Sequence, residues 1–385
     1  MFNASDFVKQ AGRIADLYTG VPCSFLKPLI NYVIDRPDVP YAPMNNEGEA
    51  IAFAAGAFVA GRRPVVMLQN SGVGNMVNPI TSLLYPFRIP VLLICTWRAQ
   101  PGIKDEPQHE LMGRITAPML ELMGVETEVL GDSKIDMEGA LCRADAHMRR
   151  TDRPYGLVLP KGIVEDYRLG QTPSPPLRSE GRLRLGETGI AQCRRYQLIE
   201  SICRIVGESH VIVGTTGKTG RELFTCRDSA NHLYMVGSMG CAASFGLGMA
   251  MHLPPTKRVV VIDGDGAALM RLEAMASIGY FCPKNLVHLI LDNRVHDSTG
   301  GQQTLSTAVA FDRIAHGCGY AHAVSVVTQD CFEQELDMAI DRDGPTCIHA
   351  HIVPGSLDDL ARPSVTPCEV KQRLMEHLRV GGHRG

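Results

Sequence analysis

Val259–Gln302 reads VVVIDGDGAALMRLEAMASIGYFCPKNLVHLILDNRVHDSTGGQ, and the fold class follows from it. An apolar β-branched run (Val259, Val260, Val261, Ile262) ends in Asp263-Gly264-Asp265-Gly266. A stretch of helical character follows, then a second apolar run from Leu286 to Leu291 that stops at Asp292-Asn293. Strand, acidic glycine turn, helix, strand and polar loop make one βαβ unit. Its two polar clusters fall at the carboxyl ends of neighbouring parallel strands, where open α/β sheets bind ligands. Asp265 offers a carboxylate oxygen and Asn293 an amide oxygen. Such hard donors suit Mg2+ or Ca2+ better than a softer metal. Mg2+ usually completes its octahedron with phosphate oxygens and water, and Gly264 and Gly266 let backbone approach a phosphate closely. The unit reads as a cradle for a metal and a diphosphate. A tight Asp-Gly turn with no ligand is the alternative, and Asn293 at the end of the next strand weighs against it.

The chain has 385 residues, 45% hydrophobic and 21% charged, which fits an ordinary globular protein of about two domains. A net charge of −3 argues against a nucleic-acid partner. The 12 cysteines are scattered with no CxxC pair, as expected of a reduced, cytoplasmic protein rather than a disulfide framework. The N-terminal MFNASDFVKQAG lacks the layout of a signal peptide, and no apolar run approaches a membrane span.

Along the first half, a helix is predicted over residues 5–17, leading into Tyr18-Thr19-Gly20-Val21-Pro22-Cys23-Ser24. Ser24 reads either as the N-cap of a helix over Leu26–Ile34 or as part of a turn that aims N–H groups at an anion. Asn46-Glu47-Gly48-Glu49 opens a helix of small residues, which allows another backbone to pack close. By itself Glu47 is a dipole-favoured first-turn residue. A strand over Val65–Gln69 then meets the glycine loop Asn70-Ser71-Gly72-Val73-Gly74-Asn75. The strand Pro90–Thr96 runs into a polar loop from Trp97 to His109, where Arg98, Lys104 and His109 suit a small anionic substrate. The same composition fits a solvated surface loop. A strand over Tyr155–Leu159 closes this domain.

Residues 169–187, rich in Pro, Gly, Ser and charge, read as a linker between domains at 1–168 and 188–385. Beyond it, a strand over His210–Val213 ends in Gly214-Thr215-Thr216-Gly217-Lys218-Thr219, a glycine loop that can accept a cofactor. It lacks the Gly-x4-Gly-Lys-Ser/Thr spacing of a P-loop, and no GxGxxG follows the first strand, so a nucleoside triphosphatase and a dinucleotide-dependent dehydrogenase are set aside. Met239 precedes a second small-residue helix, Ala242–Ala250, and His296 lies just past Asn293. Met239 fits core packing as well as a cofactor contact, and His296 fits a structural role as well as proton transfer.

GDG followed at this distance by Asn resembles the diphosphate motif of thiamin-diphosphate enzymes. Glu47, its small-residue helix, the next strand and the Ser-Gly-x-Gly loop resemble, in the expected order, the pyrimidine-binding domain of the same enzymes. The resemblance implies two doubly wound parallel α/β domains, one for each end of thiamin diphosphate, with no third domain between them. It implies Asp265, Asn293 and the Val295 carbonyl as ligands of Mg2+, with Gly72, Gly217, Gly264 and Gly266 lining the cofactor. Asp292 stands where many relatives have a second Asn, at a position that is not a ligand. Glu47 would hydrogen-bond the aminopyrimidine, Met239 would hold the cofactor bent, and His296 would serve substrate binding or proton transfer. The short layout is similar to the phosphonopyruvate decarboxylase family, through Gly20-Val21-Pro22-Cys23-Ser24-Phe25, Asn46-Glu47-Gly48, Pro101-Gly102 to His109, Gly217-Lys218-Thr219 and His296–Gln302. The implied activity is non-oxidative decarboxylation of a 2-keto acid with a terminal phosphonate, in phosphonate and antibiotic biosynthesis. A sulfonate substrate, as in sulfopyruvate decarboxylase, is the alternative. Ser24, Arg98, Lys104 and His109 are the substrate candidates. The resemblance also implies a homodimer or higher homo-oligomer with active sites at subunit interfaces.

Overall fold

The computed structural model describes residues 1–131, 133–170, 181–184, 186 and 189–381. The chain divides into two compact units, Met1–Pro175 and Pro176–Gly385. In the first, the strands are Leu17–Gly20 (β1), Tyr41–Pro43 (β2), Pro64–Leu68 (β3), Leu92–Thr96 (β4), Glu126–Val129 (β5) and Tyr155–Leu159 (β6). They form one parallel sheet in the order β2-β1-β3-β4-β6-β5. Every residue of β1, β3, β4 and β6 is buried, which is why these strands read as unbroken apolar runs: helices cover both faces. The strand order reverses between β1 and β3, so the loops that leave these two strands flank a crevice of the kind that binds ligands. Gly20 closes β1 with φ +144°, and a Cβ there would lie 1.9 Å from the Met67 carbonyl oxygen, so no other residue fits.

In the second unit the strands are Arg182–Arg184 (β7), Val211–Gly214 (β8), His232–Tyr234 (β9), Val259–Gly264 (β10), Leu286–Asp292 (β11), Val295–His296 (β12), Gln302–Gln303 (β13), His322–Val326 (β14) and Thr346–His351 (β15). Seven make a parallel sheet in the order β7-β14-β15-β11-β10-β8-β9, while β12 and β13 form a small antiparallel hairpin. Here the order reverses between β8 and β10. The turns at Gly217 and Asp265 therefore leave adjacent strands at the switch point.

The two small-residue helices form as the sequence suggests. Glu47–Val59 is capped by Asn46, whose side chain accepts from the Gly48 N–H at 2.8 Å, and Glu49 accepts the Asn45 N–H at 2.9 Å. All its residues but Phe58 are buried, as are all those of Ala242–Ala250, so the alanines and glycines serve close packing.

Three expectations change. The helix predicted over residues 5–17 is Ala4–Ala11, because Leu17–Gly20 is drawn into the centre of the sheet as β1. Ser24 caps nothing: the next helix is Lys27–Ile34, with Leu26 at its N-cap and no side-chain cap. The linker expected over 169–187 ends early, since Arg182–Arg184 pairs with β14 as an edge strand; two arginines suit an exposed edge. Residues 171–180 of that linker lie outside the described residues. No helix of the described residues is long and apolar enough to cross a membrane.

Candidate active site

In the first unit the site grows from the end of β3. The 3-10 turn Asn70–Met76 brings Gly72 against Glu47. A Cβ on Gly72 would fall 2.1 Å from Glu47 Oε1 and 2.2 Å from its Cδ, so the carboxylate occupies the space a side chain would take. Glu47 is 9% exposed, and its Oε2 accepts the Asn75 Nδ2–H at 2.8 Å. A carboxyl group is thus held in the first turn of a helix, with one oxygen tied and the other against bare backbone. Gly72→Ala is expected to leave the fold intact, since a side chain can rotate away, yet to cost activity as Glu47→Gln does. Circular dichroism beside a turnover assay checks this.

The substrate candidates separate. Ser24 and Lys104 are exposed. His109 is buried, and its Nδ1 makes no hydrogen bond among the described residues. Arg98 does not present the free guanidinium expected of an anion receptor. It pairs with both carboxylate oxygens of Asp105, with Nε 2.7 Å from Oδ2. Asp105 also accepts the Ala99 and Glu106 N–H groups, at 2.9 and 2.8 Å. The Arg98 bonds hold the Asp105 carboxyl well below the usual carboxylate range. Arg98 therefore latches the start of the 97–109 loop to Asp105, while residues 101–104 and 106–108 of that loop are exposed. Sequence reasoning missed Phe25 and Lys161: the Arg98 guanidinium lies 4.4 Å from the Phe25 ring centroid and the Lys161 ammonium 5.5 Å from it.

In the second unit four turns converge. Asp265 opens the helix Asp265–Met270 directly after β10 and is 3% exposed. Thr304 Oγ1 donates to its Oδ2. Burial holds the Asp265 carboxyl above its ordinary range, against the pull of the Thr304 bond and with the charge of Asp292 adding to the rise. A Cβ on Gly266 would meet His296 Cε1 at 2.6 Å and Met239 Cε at 3.2 Å, so backbone, imidazole and thioether meet with no side chain between them. Gly217, at φ +90°, sits where a Cβ would be 2.9 Å from Ser298 Oγ, which accepts the Lys218 N–H at 3.3 Å. Asn293 is buried; its Oδ1 accepts the Val295 N–H at 3.1 Å and its Nδ2 donates to Asp297 Oδ2 at 2.7 Å. Between Asn293 and Val295, Arg294 takes the left-handed φ of 64° that turns the chain.

Asp292, His349 and His351 also gather, with their ligand atoms within 4.8 Å of one another. Asp292 is already satisfied by Ser306 Oγ at 2.8 Å, the Arg294 N–H at 3.0 Å and His349 Nε2 at 3.0 Å. This is a buried hydrogen-bonded carboxylate–imidazole cluster. The candidate diphosphate site is a different arrangement: oxygen donors from Asp265 and Asn293 beside Gly264, which faces open space, and Gly217 and Gly266, packed against Ser298, His296 and Met239. These hard oxygens fit a divalent cation, and the open side of Gly264 fits close approach of a phosphate.

Two parallel α/β units with ligand turns at their switch points, one built around Glu47 and the other around Asp265 and Asn293, define a thiamine pyrophosphate enzyme, and the chain belongs to that family. The family description "Thiamine pyrophosphate enzyme, N-terminal TPP binding domain" matches residues 9–118, and "Thiamine pyrophosphate enzyme, C-terminal TPP binding domain" matches residues 213–350. Within the family the chain sides with the phosphonopyruvate decarboxylases. It is 46% identical to phosphonopyruvate decarboxylase of Streptomyces viridochromogenes, over 97% of this chain and 94% of that protein. It is 28% identical to sulfopyruvate decarboxylase of Methanosarcina acetivorans, over 97% of this chain and 96% of that protein. The fold matches benzoylformate decarboxylase from Polynucleobacter necessarius with a TM-score of 0.70 at 11% identity, over 93% of this chain and all of that one.

Proposed function

We propose that this chain decarboxylates 3-phosphonopyruvate without oxidation, giving CO2 and phosphonoacetaldehyde, with thiamin diphosphate and Mg2+ bound. The observation that carries the reading is the near-full-length kinship to phosphonopyruvate decarboxylase, well above that to sulfopyruvate decarboxylase. Bound thiamin diphosphate supplies the electron sink for the pair left behind as CO2 departs. Glu47 would hold a proton for the aminopyrimidine end of the bound cofactor. Its burial and the Asn75 bond to Oε2 keep the carboxylate in place. Met239, against Gly266, would hold the cofactor in its reactive shape, a proximity effect. Asp265, Asn293 and the Val295 carbonyl hold Mg2+, an assignment supported by their uniformly hard oxygens. Gly72, Gly217, Gly264 and Gly266 let backbone line the cofactor. His296, beside Gly266, moves a proton or orients the keto acid. Ser24, Lys104 and His109 meet the substrate anion, and Arg98, paired with Asp105, braces the loop that carries Lys104 and His109. We place the enzyme in the cytoplasm, in phosphonate biosynthesis; its 12 free cysteines suit a reducing compartment.

One assay tests the substrate. Purified protein with thiamin diphosphate and Mg2+ is offered phosphonopyruvate, sulfopyruvate or pyruvate, and CO2 release is followed. Phosphonopyruvate is expected to give by far the highest kcat/KM; a preference for sulfopyruvate would overturn the assignment.

The active sites, in this reading, form between two copies of the chain. Mixing inactive Glu47→Gln protein with inactive Asp265→Asn protein, under conditions that exchange subunits, is then expected to restore activity. Each mixed dimer has one site with an intact Glu47 from one copy and an intact Asp265 from the other. Sites made within one chain would stay inactive in the mixture.

A further inference from the structure

An amide ligand carries a problem that a carboxylate does not: Asn293 has one oxygen to offer, and a half-turn of its side chain would present two N–H donors to the cation instead. Two contacts fix that choice: the Val295 N–H donates to Oδ1 at 3.1 Å, and a second contact lies on the far side of the amide. Asn293 Nδ2 donates to Asp297 Oδ2 at 2.7 Å. A carboxylate accepts and never donates, so it requires the NH2 end of the amide to face it and turns Oδ1 the other way. Asp297 is itself held from two sides. Its Oδ2 takes the Arg195 Nη1–H at 3.2 Å and the Gly355 N–H at 3.4 Å. Arg195 is 6% exposed and bound at Nε to Glu222 Oε2 at 2.6 Å, and Glu222 in turn accepts the Leu357 N–H at 3.3 Å. Glu222 is wholly buried. Two carboxylates around one guanidinium leave the cluster with one excess negative charge, next to the place proposed for a divalent cation.

We infer that Asp297, braced by Arg195 and Glu222, is a positioning residue that sets the amide orientation of Asn293 and thereby the affinity for the metal. This rests on Asn293 being a metal ligand. Asp297 touches neither metal nor substrate in this account; it acts through Asn293. Partners of metal ligands typically contribute about 10- to 100-fold in metal affinity.

The test measures Mn2+ binding by electron paramagnetic resonance in the full chain with thiamin diphosphate present, beside the melting temperature of the unliganded chain. Asp297→Ala removes the acceptor and leaves Arg195 paired with Glu222, so the fold is expected to hold. Mn2+ affinity is expected to fall about 10- to 100-fold. Asp297→Asn can set its amide oxygen where Oδ2 stands and still accept from Asn293, Arg195 and Gly355, so it is expected to bind within a few fold of the parent. Asn293→Ala is the reference and is expected to lose the metal. If Asn293→Ala binds Mn2+ like the parent, the ligand reading fails and the inference with it. If Asn293→Ala loses the metal while Asp297→Ala binds within about twofold of the parent, the inference alone fails. It fails too if the loss in Asp297→Ala is matched by a melting temperature as depressed as that of a core lesion, or if Asp297→Asn binds no better than Asp297→Ala.

Discussion

Glu47→Gln is expected to lower turnover by about 10²- to 10⁴-fold, the range that a positioned proton-transfer group contributes. The amide keeps the shape of the carboxylate. Its oxygen can still accept from Asn75 Nδ2, which now donates at 2.8 Å, so neither the helix Glu47–Val59 nor the turn at Gly72 has reason to move. What is lost is an oxygen able to carry a proton. Cofactor binding, followed by calorimetric titration, is expected to change much less than kcat. Near-parental turnover would remove the basis for reading the first unit as half of a catalytic site.

Asp265→Asn is expected to abolish the thermal stabilisation that thiamin diphosphate and Mg2+ confer, and to raise the melting temperature of the unliganded chain. A ligand at 100 times its Kd stabilises a protein by about 2.7 kcal/mol, and the variant forfeits this once affinity drops. The second effect comes from the cost of the charge. Burial raises the Asp265 carboxyl, with Asp292 adding to it, so the folded unliganded chain binds its proton more tightly than the unfolded chain does. The stability this group contributes is full below its unfolded pKa and is lost as pH rises through the folded one. At pH 7 the charge works against the fold. The amide carries none and still accepts the Thr304 hydroxyl. Scanning calorimetry at pH 7, with and without cofactor and metal, reads both effects. A variant that keeps the full cofactor-induced shift would remove Asp265 from the metal site.

Much of the fold was legible because parallel strands buried on both faces leave unbroken apolar runs, as at Tyr155–Leu159, and because a run of small residues marks a closely packed helix, as at Ala242–Ala250. Short elements escaped. Arg182–Arg184 carries an edge strand in a segment whose Pro, Gly and charge read as linker, and pairing with β14 decides it. Local propensity also gave residues 5–17 to one helix, whereas the sheet claims Leu17–Gly20. At the site, Glu47 and Asp265 stand out because each adjoins a glycine at the start of a helix, and Asn293 because it is a polar residue at the end of an apolar strand. Asn75, Thr304, Asp297 and Arg195 do not: a hydrogen bond such as Arg195 to Asp297 leaves no periodic trace, and only the folded chain brings them together. Arg98 carries a partner that local reading does not supply: a basic residue at a strand end suggests an anion receptor, and in the structure Asp105 of the same loop pairs with its guanidinium.

Among the described residues the two sheets share no strand: the strands of the first end at Leu159 and those of the second begin at Arg182. A break in the coding sequence between these points would divide neither sheet. The same parts could be inherited as one gene or as two, each product carrying a complete ladder and its own ligand turns.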